Sequence, residues 1–127
     1  YPLRRQRQMC IRDRSETIFD KIISREIPAE IVYEDENYLA FNDINPQAPI
    51  HILIIPKKRI PTINDIQKND SELIAGLFFI AKDIAIKKGI DKDGYRLILN
   101  CNENGGQSVY HIHLHLIGGR KLSWIPG

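Results

Sequence analysis

The sequence Val109-Tyr110-His111-Ile112-His113-Leu114-His115-Leu116-Ile117 alternates histidine with aliphatic residues. Strict period-two alternation predicts a strand, and a strand sends successive side chains to opposite faces. His111, His113 and His115 then share one face, neighbours roughly 7 Å apart along it, while Ile112, Leu114 and Leu116 fill the other. The chain has four histidines in all, and three stand in this row. Packing supplies no reason for three imidazoles on one strand face, since each brings ring nitrogens that cost free energy when buried unpaired. A metal site would need three or four convergent neutral ligands. The i, i+2, i+4 spacing focuses rings poorly, and no HExxH motif, cysteine cluster or carboxylate lies in the segment. Nucleophilic and acid–base catalysis fits better, because imidazole titrates near neutral pH and can attack phosphorus or carry a proton without a metal. Directly upstream, Gly105-Gly106-Gln107-Ser108 offers glycine backbone, an amide and a hydroxyl, a set suited to cradling phosphate oxygens.

The elements that must hold this row can be read in chain order. Ile18, Phe19, Ile22 and Ile23 recur at helical spacing, predicting a short helix over 17–25 ahead of Pro28. Ile31 to Asp35 and Tyr38 to Asp43 read as two strands joined through Glu36-Asn37. The run Asn45-Pro46-Gln47-Ala48-Pro49 is a turn, since two prolines cannot sit inside a ladder. His51 to Ile55 is then an almost continuous apolar strand, ended by Pro56-Lys57-Lys58-Arg59. Ile74, Leu77, Phe78, Ala81, Ile84 and Ala85 mark one face of a long helix over 71–88, with Gly89 suited to the left-handed position after it. Tyr95 to Asn100 is a fourth strand, Asn102 to Gln107 a polar loop, and Val109 to Ile117 a fifth strand broken by Gly118-Gly119. This order predicts an α+β fold, an antiparallel five-stranded sheet carrying two helices.

Composition narrows the function classes. At 127 residues the chain is one domain with a modest core. No apolar run approaches the roughly 20 residues of a membrane span, so no membrane partner is expected. Cys10 and Cys101 form no CxxC pair, and both read as free thiols of a reducing, cytoplasmic compartment. The formal charge of +2 is set by residues 1–15, where Arg4, Arg5, Arg7, Arg12 and Arg14 face Asp13 alone. Without them 13 basic and 15 acidic side chains remain, a net charge of −2, and a basic nucleic-acid face disappears. The arm has neither the apolar core of a signal peptide nor the serines of a transit peptide. It resembles translated adaptor sequence joined to the domain over 16–127; a native basic arm is the alternative.

The stretch Gly105 to Arg120, with its His-φ-His-φ-His-φ-φ core (φ apolar), resembles the signature of the histidine-triad (HIT) family. The flanking Gly-Gly-Gln-Ser and Gly-Gly-Arg are similar to its HINT branch, the histidine-triad nucleotide-binding proteins. Ile18 to Ile23, Ala40 to Ile44 and Pro46 to Lys58 match the same branch, so the resemblance spans roughly Glu16 to Gly127. It implies a HIT-like fold, a homodimer, no cofactor and no metal. It also implies hydrolysis of purine nucleoside phosphoramidates, with AMP as product. His113 would be the nucleophile that forms a nucleotidyl-histidine intermediate. His111 and His51 would orient it, and His115 would bind phosphate or assist proton transfer to the leaving group. Ser108, Gln107, Gly106 and Asn100 would meet phosphate and ribose oxygens, and Asp43 the ribose hydroxyls. Ile18, Phe19, Ile22, Phe41, Ile44 and Leu53 would wall the base. The resemblance further implies that the tail around Trp124 reaches the partner subunit's site.

On the residues alone, plainer readings stay open. Phe19 and Ile22 suit a helix core, Phe41 and Leu53 a sheet core, Asp43 a backbone cap and His51 a structural position. Two departures stand out: Asn42 replaces the histidine or arginine of many relatives, and Trp124-Ile125-Pro126-Gly127 replaces Trp-Pro-Pro-Gly. A dinucleoside polyphosphate hydrolase and a nucleotide-binding adaptor with residual hydrolysis are the rival functions.

Overall fold

The computed structural model describes residues 16–124. The arm over 1–15, Cys10 and the terminal Ile125-Pro126-Gly127 lie outside the described residues. The expected α+β order holds. Helix α1 (Ile18–Ile23) is followed by strands β1 (Ile31–Glu34), β2 (Tyr38–Asn42) and β3 (Ile50–Pro56). Helix α2 (Ser71–Lys87), β4 (Tyr95–Ile98) and β5 (Leu114–Gly118) complete it. The strands form one antiparallel sheet in the order β1-β2-β3-β5-β4. Helix α1 starts where a capping box predicts: the Thr17 hydroxyl accepts from the Asp20 N–H at 3.3 Å, and the Asp20 carboxylate accepts from the Thr17 N–H at 3.0 Å.

The sheet separates two apolar layers. On one face Ile52, Ile54, Leu114 and Leu116 pack under the Leu77, Ala81, Ile84 and Ala85 stripe of α2. Tyr38 ties β2 to that helix by donating its hydroxyl to the Leu73 carbonyl at 2.7 Å. Its ring lies so close to Gly76 that a Cβ there would sit 1.9 Å from the Tyr38 oxygen. On the other face Leu39, Phe41, Leu53 and Ile55 meet Phe19 and Ile22 of α1. Alternation along β3 sends His51 to this second face, the face on which the histidines gather.

One expectation is corrected. The fifth strand does not run from Val109; it begins at Leu114, so His111 and His113 precede the ladder. The register explains this. Ile54 pairs with Leu114 and Ile52 with Leu116, so Ile112 would fall opposite Pro56, which has no N–H to donate. The chain detaches there, and the Ile112 N–H donates instead to the Ile60 carbonyl at 2.7 Å. The fourth strand likewise ends at Ile98, short of Asn100.

Candidate active site

The detached segment sets the chemistry of the histidines. The His111 ring turns inward, fully buried, and its Nε2–H donates to the Pro56 carbonyl at 2.6 Å. An imidazole thus gives the Pro56 carbonyl the donor that the Ile112 N–H, turned to Ile60, does not supply. The other nitrogen, His111 Nδ1, makes no hydrogen bond and lies 3.6 Å from Asp20 Oδ1. His113 Nδ1 sits 2.8 Å from the His111 carbonyl oxygen. A carbonyl only accepts, so Nδ1 carries the hydrogen, and the neutral ring keeps its lone pair on Nε2. Phe19 stands edge-on to His113, centroids 5.0 Å apart at 84°, and fixes the ring from the α1 side.

A second chain of bonds fixes the other pair. The Gln47 backbone N–H donates to His51 Nδ1 at 3.0 Å, so the His51 proton belongs on Nε2. His51 Nε2 lies 2.9 Å from His115 Nδ1, which must therefore accept, and His115 bears its hydrogen on Nε2. Asp43 Oδ2, 3.4 Å from His51 Nε2, adds its negative charge to the pair. The rings of His113 and His115 approach to 4.9 Å. The site thus combines a lone pair on one imidazole with an N–H on the next.

Burial lowers the proton affinity of all four rings, since each charged form would lose its hydration. His115 is driven down to about 4 by burial and by the neighbouring His113 and His51, against the opposing pull of Asp43. At neutral pH the resting site is uncharged on its histidines, as a nucleophile requires.

A cavity of about 370 Å³ opens beside this pair. Ile18, Phe19, Ile22, Phe41, Asp43, Ile44, Leu53, Ser108, His113 and His115 line it, each expected from the sequence. Ile27, Pro28, Ala29, Asn42 and Val109 complete the wall. Of these, sequence reasoning assigned none to the site; the turn after α1 marked by Pro28 was the signal for the first three. Ile44 is 91% exposed and forms a rim rather than a wall. Asn42 donates to Glu30 Oε2 at 2.9 Å.

Five expected site residues do not line the cavity. His51 and His111 act on its lining from behind, His111 through its backbone carbonyl. Asn100 and Gly106 lie beside each other at the two ends of the polar loop, a Cβ on Gly106 falling 4.0 Å from the Asn100 side-chain nitrogen. The expected phosphate contact of the Gln107 side chain is corrected. Gln107 is buried, its Nε2 donating to the Pro61 and Val109 carbonyls at 2.6 and 3.0 Å, while Oε1 accepts from the Asn102 N–H at 2.8 Å. Both amide hydrogens are used, so Gln107 shapes the loop and has no N–H to offer a ligand.

No carboxylate lies in the histidine segment itself, but folding brings Asp43 to it. Ligand atoms of Asp43, His51 and His115 lie within 4.8 Å of one another. The trio does not fit a cation as it stands. The His51 nitrogen facing His115 bears the proton of their hydrogen bond, and a metal ligand must be deprotonated there.

The sequence matches the HIT domain family over residues 24–122. The chain belongs to the HIT family. Among HIT relatives, the purine nucleoside phosphoramidase of Escherichia coli K12 is 57% identical over 107 residues, covering 84% of this chain and 90% of that protein. A 14 kDa zinc-binding protein of Zea mays is 52% identical over 117 residues, covering 91% of each. The crystal structure of a HIT family hydrolase from Legionella pneumophila superposes with a TM-score of 0.87 at 57% identity, covering 88% of this chain and 100% of that one. The HIT fold expected from the triad is thus the fold found.

Proposed function

We propose that this HIT protein hydrolyses purine nucleoside phosphoramidates at the P–N bond, releasing AMP and an amine. The observation that carries this is the opposite tautomers of adjacent imidazoles: a lone pair on His113 Nε2 beside an N–H on His115 Nε2. His113 attacks the α-phosphorus, forming a P–N bond to the ring as the substrate's P–N bond breaks. The phosphoryl anion that enters beside His115 favours uptake of a proton from solvent by that ring, offsetting the effect of burial. His115 then passes that proton to the departing amine. Water next cleaves the nucleotidyl-histidine, returning His113 and giving AMP. The apolar wall of Phe19, Ile22, Phe41 and Leu53 accepts the base, Asp43 the ribose hydroxyls and Ser108 a phosphate oxygen. The 57% identity to a named purine nucleoside phosphoramidase supports the same reaction.

The proposal extends to a homodimer. Strand β4 is an edge of the sheet, and Phe78, Phe79 and Ile86 leave an apolar face of α2 exposed. An open edge beside such a face calls for cover, and a two-fold copy supplies it. Trp124, 87% exposed, is then free to reach the partner's cavity and close the leaving-group side. Among the described residues no helix is long and apolar enough to cross a membrane, and the reading places the protein in the cytoplasm, working without metal, nucleic acid or membrane.

The experiment is a substrate comparison. Both an adenosine phosphoramidate and a dinucleoside polyphosphate would place an adenylyl group on His113, so selection lies on the leaving-group side. A compact amine suits a site closed by Trp124, whereas a second nucleotide needs an open groove. The expected preference in kcat/KM is at least about a hundredfold for the phosphoramidate, or about 2.7 kcal/mol. Equal or reversed preference would mark a polyphosphate hydrolase. Tight AMP binding with no turnover of either would mark an adaptor.

A further inference from the structure

The exit from β5 crosses the loop that leads into His51. Gly119 adopts φ +92, and a Cβ there would meet Pro49 Cβ at 3.0 Å and the Ile50 nitrogen at 3.5 Å. Glycine at 119 therefore lets the chain lie directly on the Pro46–Pro49 turn. The next residue, Arg120, is exposed, yet its Nη2 donates to the Gln47 carbonyl at 3.0 Å. The same residue 47 aims its N–H at His51 Nδ1. The turn is braced from within by the Gln47 side chain on the Asn45 carbonyl at 3.1 Å and by the Asn45 N–H on Asp43 Oδ1 at 2.9 Å, but neither bond holds the peptide of residue 47 by its carbonyl, which only Arg120 does among the described residues.

We infer that Arg120 is a positioning residue for the proton-carrying histidine, acting through the backbone of Gln47. The guanidinium holds residue 47 by its carbonyl, the N–H of that residue selects the His51 tautomer, and His51 selects the tautomer of His115. Four links, at 3.0, 3.0 and 2.9 Å and then the His115 Nε2–H, run from a surface cation to the departing amine. Without the clamp the 45–49 turn can withdraw its N–H. His51 then has no imposed tautomer, and His115 loses the certainty of presenting a hydrogen to the cavity. This rests on the phosphoramidase reading for its kinetic consequence but not for its structural one.

The test uses the full-length protein with 15N-labelled histidine, where four residues give a resolvable ring-nitrogen spectrum. Wild type should show protonated Nε2 and unprotonated Nδ1 on both His51 and His115. Arg120→Ala should move both toward tautomer averaging, Arg120→Lys should restore the wild-type pattern in part, and Lys121→Ala should change neither spectrum nor turnover. In kinetics, Arg120→Ala should lower kcat about tenfold for an alkylamine phosphoramidate, the scale of one misdirected hydrogen bond, with KM nearly constant. An adenylate ester of an acidic phenol, whose leaving group needs no proton, should lose far less. Unchanged histidine tautomers in Arg120→Ala would overturn the inference, as would equal losses on both substrates. Should wild type turn over no phosphoramidate, the phosphoramidase reading falls, while the spectra still decide the role of Arg120.

Discussion

Lowering the pH from 7.5 to 5.5 should destabilise this protein steeply, because folding buries histidines that the unfolded chain would protonate. Each of the four has a folded pKa below the unfolded value of about 6.5. Between the two values the unfolded state binds the extra proton, so stability rises with pH across that window. It is fully present above about 6.5 and is lost as pH falls toward the folded pKa, which for His115 is about 4. One unit below the unfolded value, a ring that stays neutral in the native state costs about 1.4 kcal/mol. His115, with its folded pKa of about 4, contributes about that much at pH 5.5, and the other three lowered rings add to it in the same direction. Against a typical total of about 5–15 kcal/mol, the loss is readily measured. Urea unfolding at pH 7.5, 6.5 and 5.5, at one fixed protein concentration, gives the slope. Asp35, Glu34 and Asp70, whose carboxyls are held below their usual range by hydrogen bonds, act only in more acidic solution. A midpoint equal at pH 7.5 and 5.5, or a loss well short of the roughly 1.4 kcal/mol of His115 alone, would refute the claim that these rings are held neutral in the folded protein.

Further expectations concern the site and the assembly. His113→Ala should reduce kcat by several orders of magnitude with AMP binding largely kept, since affinity comes from the base wall and loop; more than about a tenth of wild-type kcat remaining would remove His113 from the covalent role. Ser108→Ala should cost about 0.5–1.5 kcal/mol of transition-state stabilisation, one hydrogen bond's worth, seen as a roughly threefold to tenfold loss in kcat/KM. Exhaustive chelation should leave turnover intact and added zinc should inhibit, because a cation at Asp43, His51 and His115 must displace the proton that sets the tautomers; loss on chelation with recovery in zinc would contradict this. Sedimentation at micromolar concentration should give a dimer, unchanged on deleting residues 1–14; a monomer in either case would count against the β4 and α2 interface or against an extraneous arm.

The sequence carried the row of histidines and the order of the elements because both are local patterns: period two for strands, helical spacing on α2, proline and glycine as punctuation. It could not show where β5 begins, since that depends on Pro56, fifty-six positions earlier in the chain, being the residue that Ile112 would have to pair with. Nor could it show that Asp43 comes to His51, or that a main-chain N–H at residue 47 decides which imidazole holds a proton. Gln107 was misread for a related reason. A buried amide and a ligand-binding amide have the same letter, and only the positions of Pro61, Asn102 and Val109 distinguish them. His51 was expected to orient His113; in the fold its ring bonds to His115 instead.

If His113 Nε2 is the nucleophile it becomes covalently nucleotidylated in each turnover, which rapid mixing can capture. The protein is mixed with an adenosine phosphoramidate, quenched within one turnover under conditions that preserve phosphorus–nitrogen bonds, digested, and its peptides weighed. One adenylyl group is expected, carried by the peptide spanning His111 to His115 and located on His113, rising and decaying at rates that match kcat. Adenylylation of His115 or His51 instead, or brisk turnover under which no histidine is ever labelled, would contradict it.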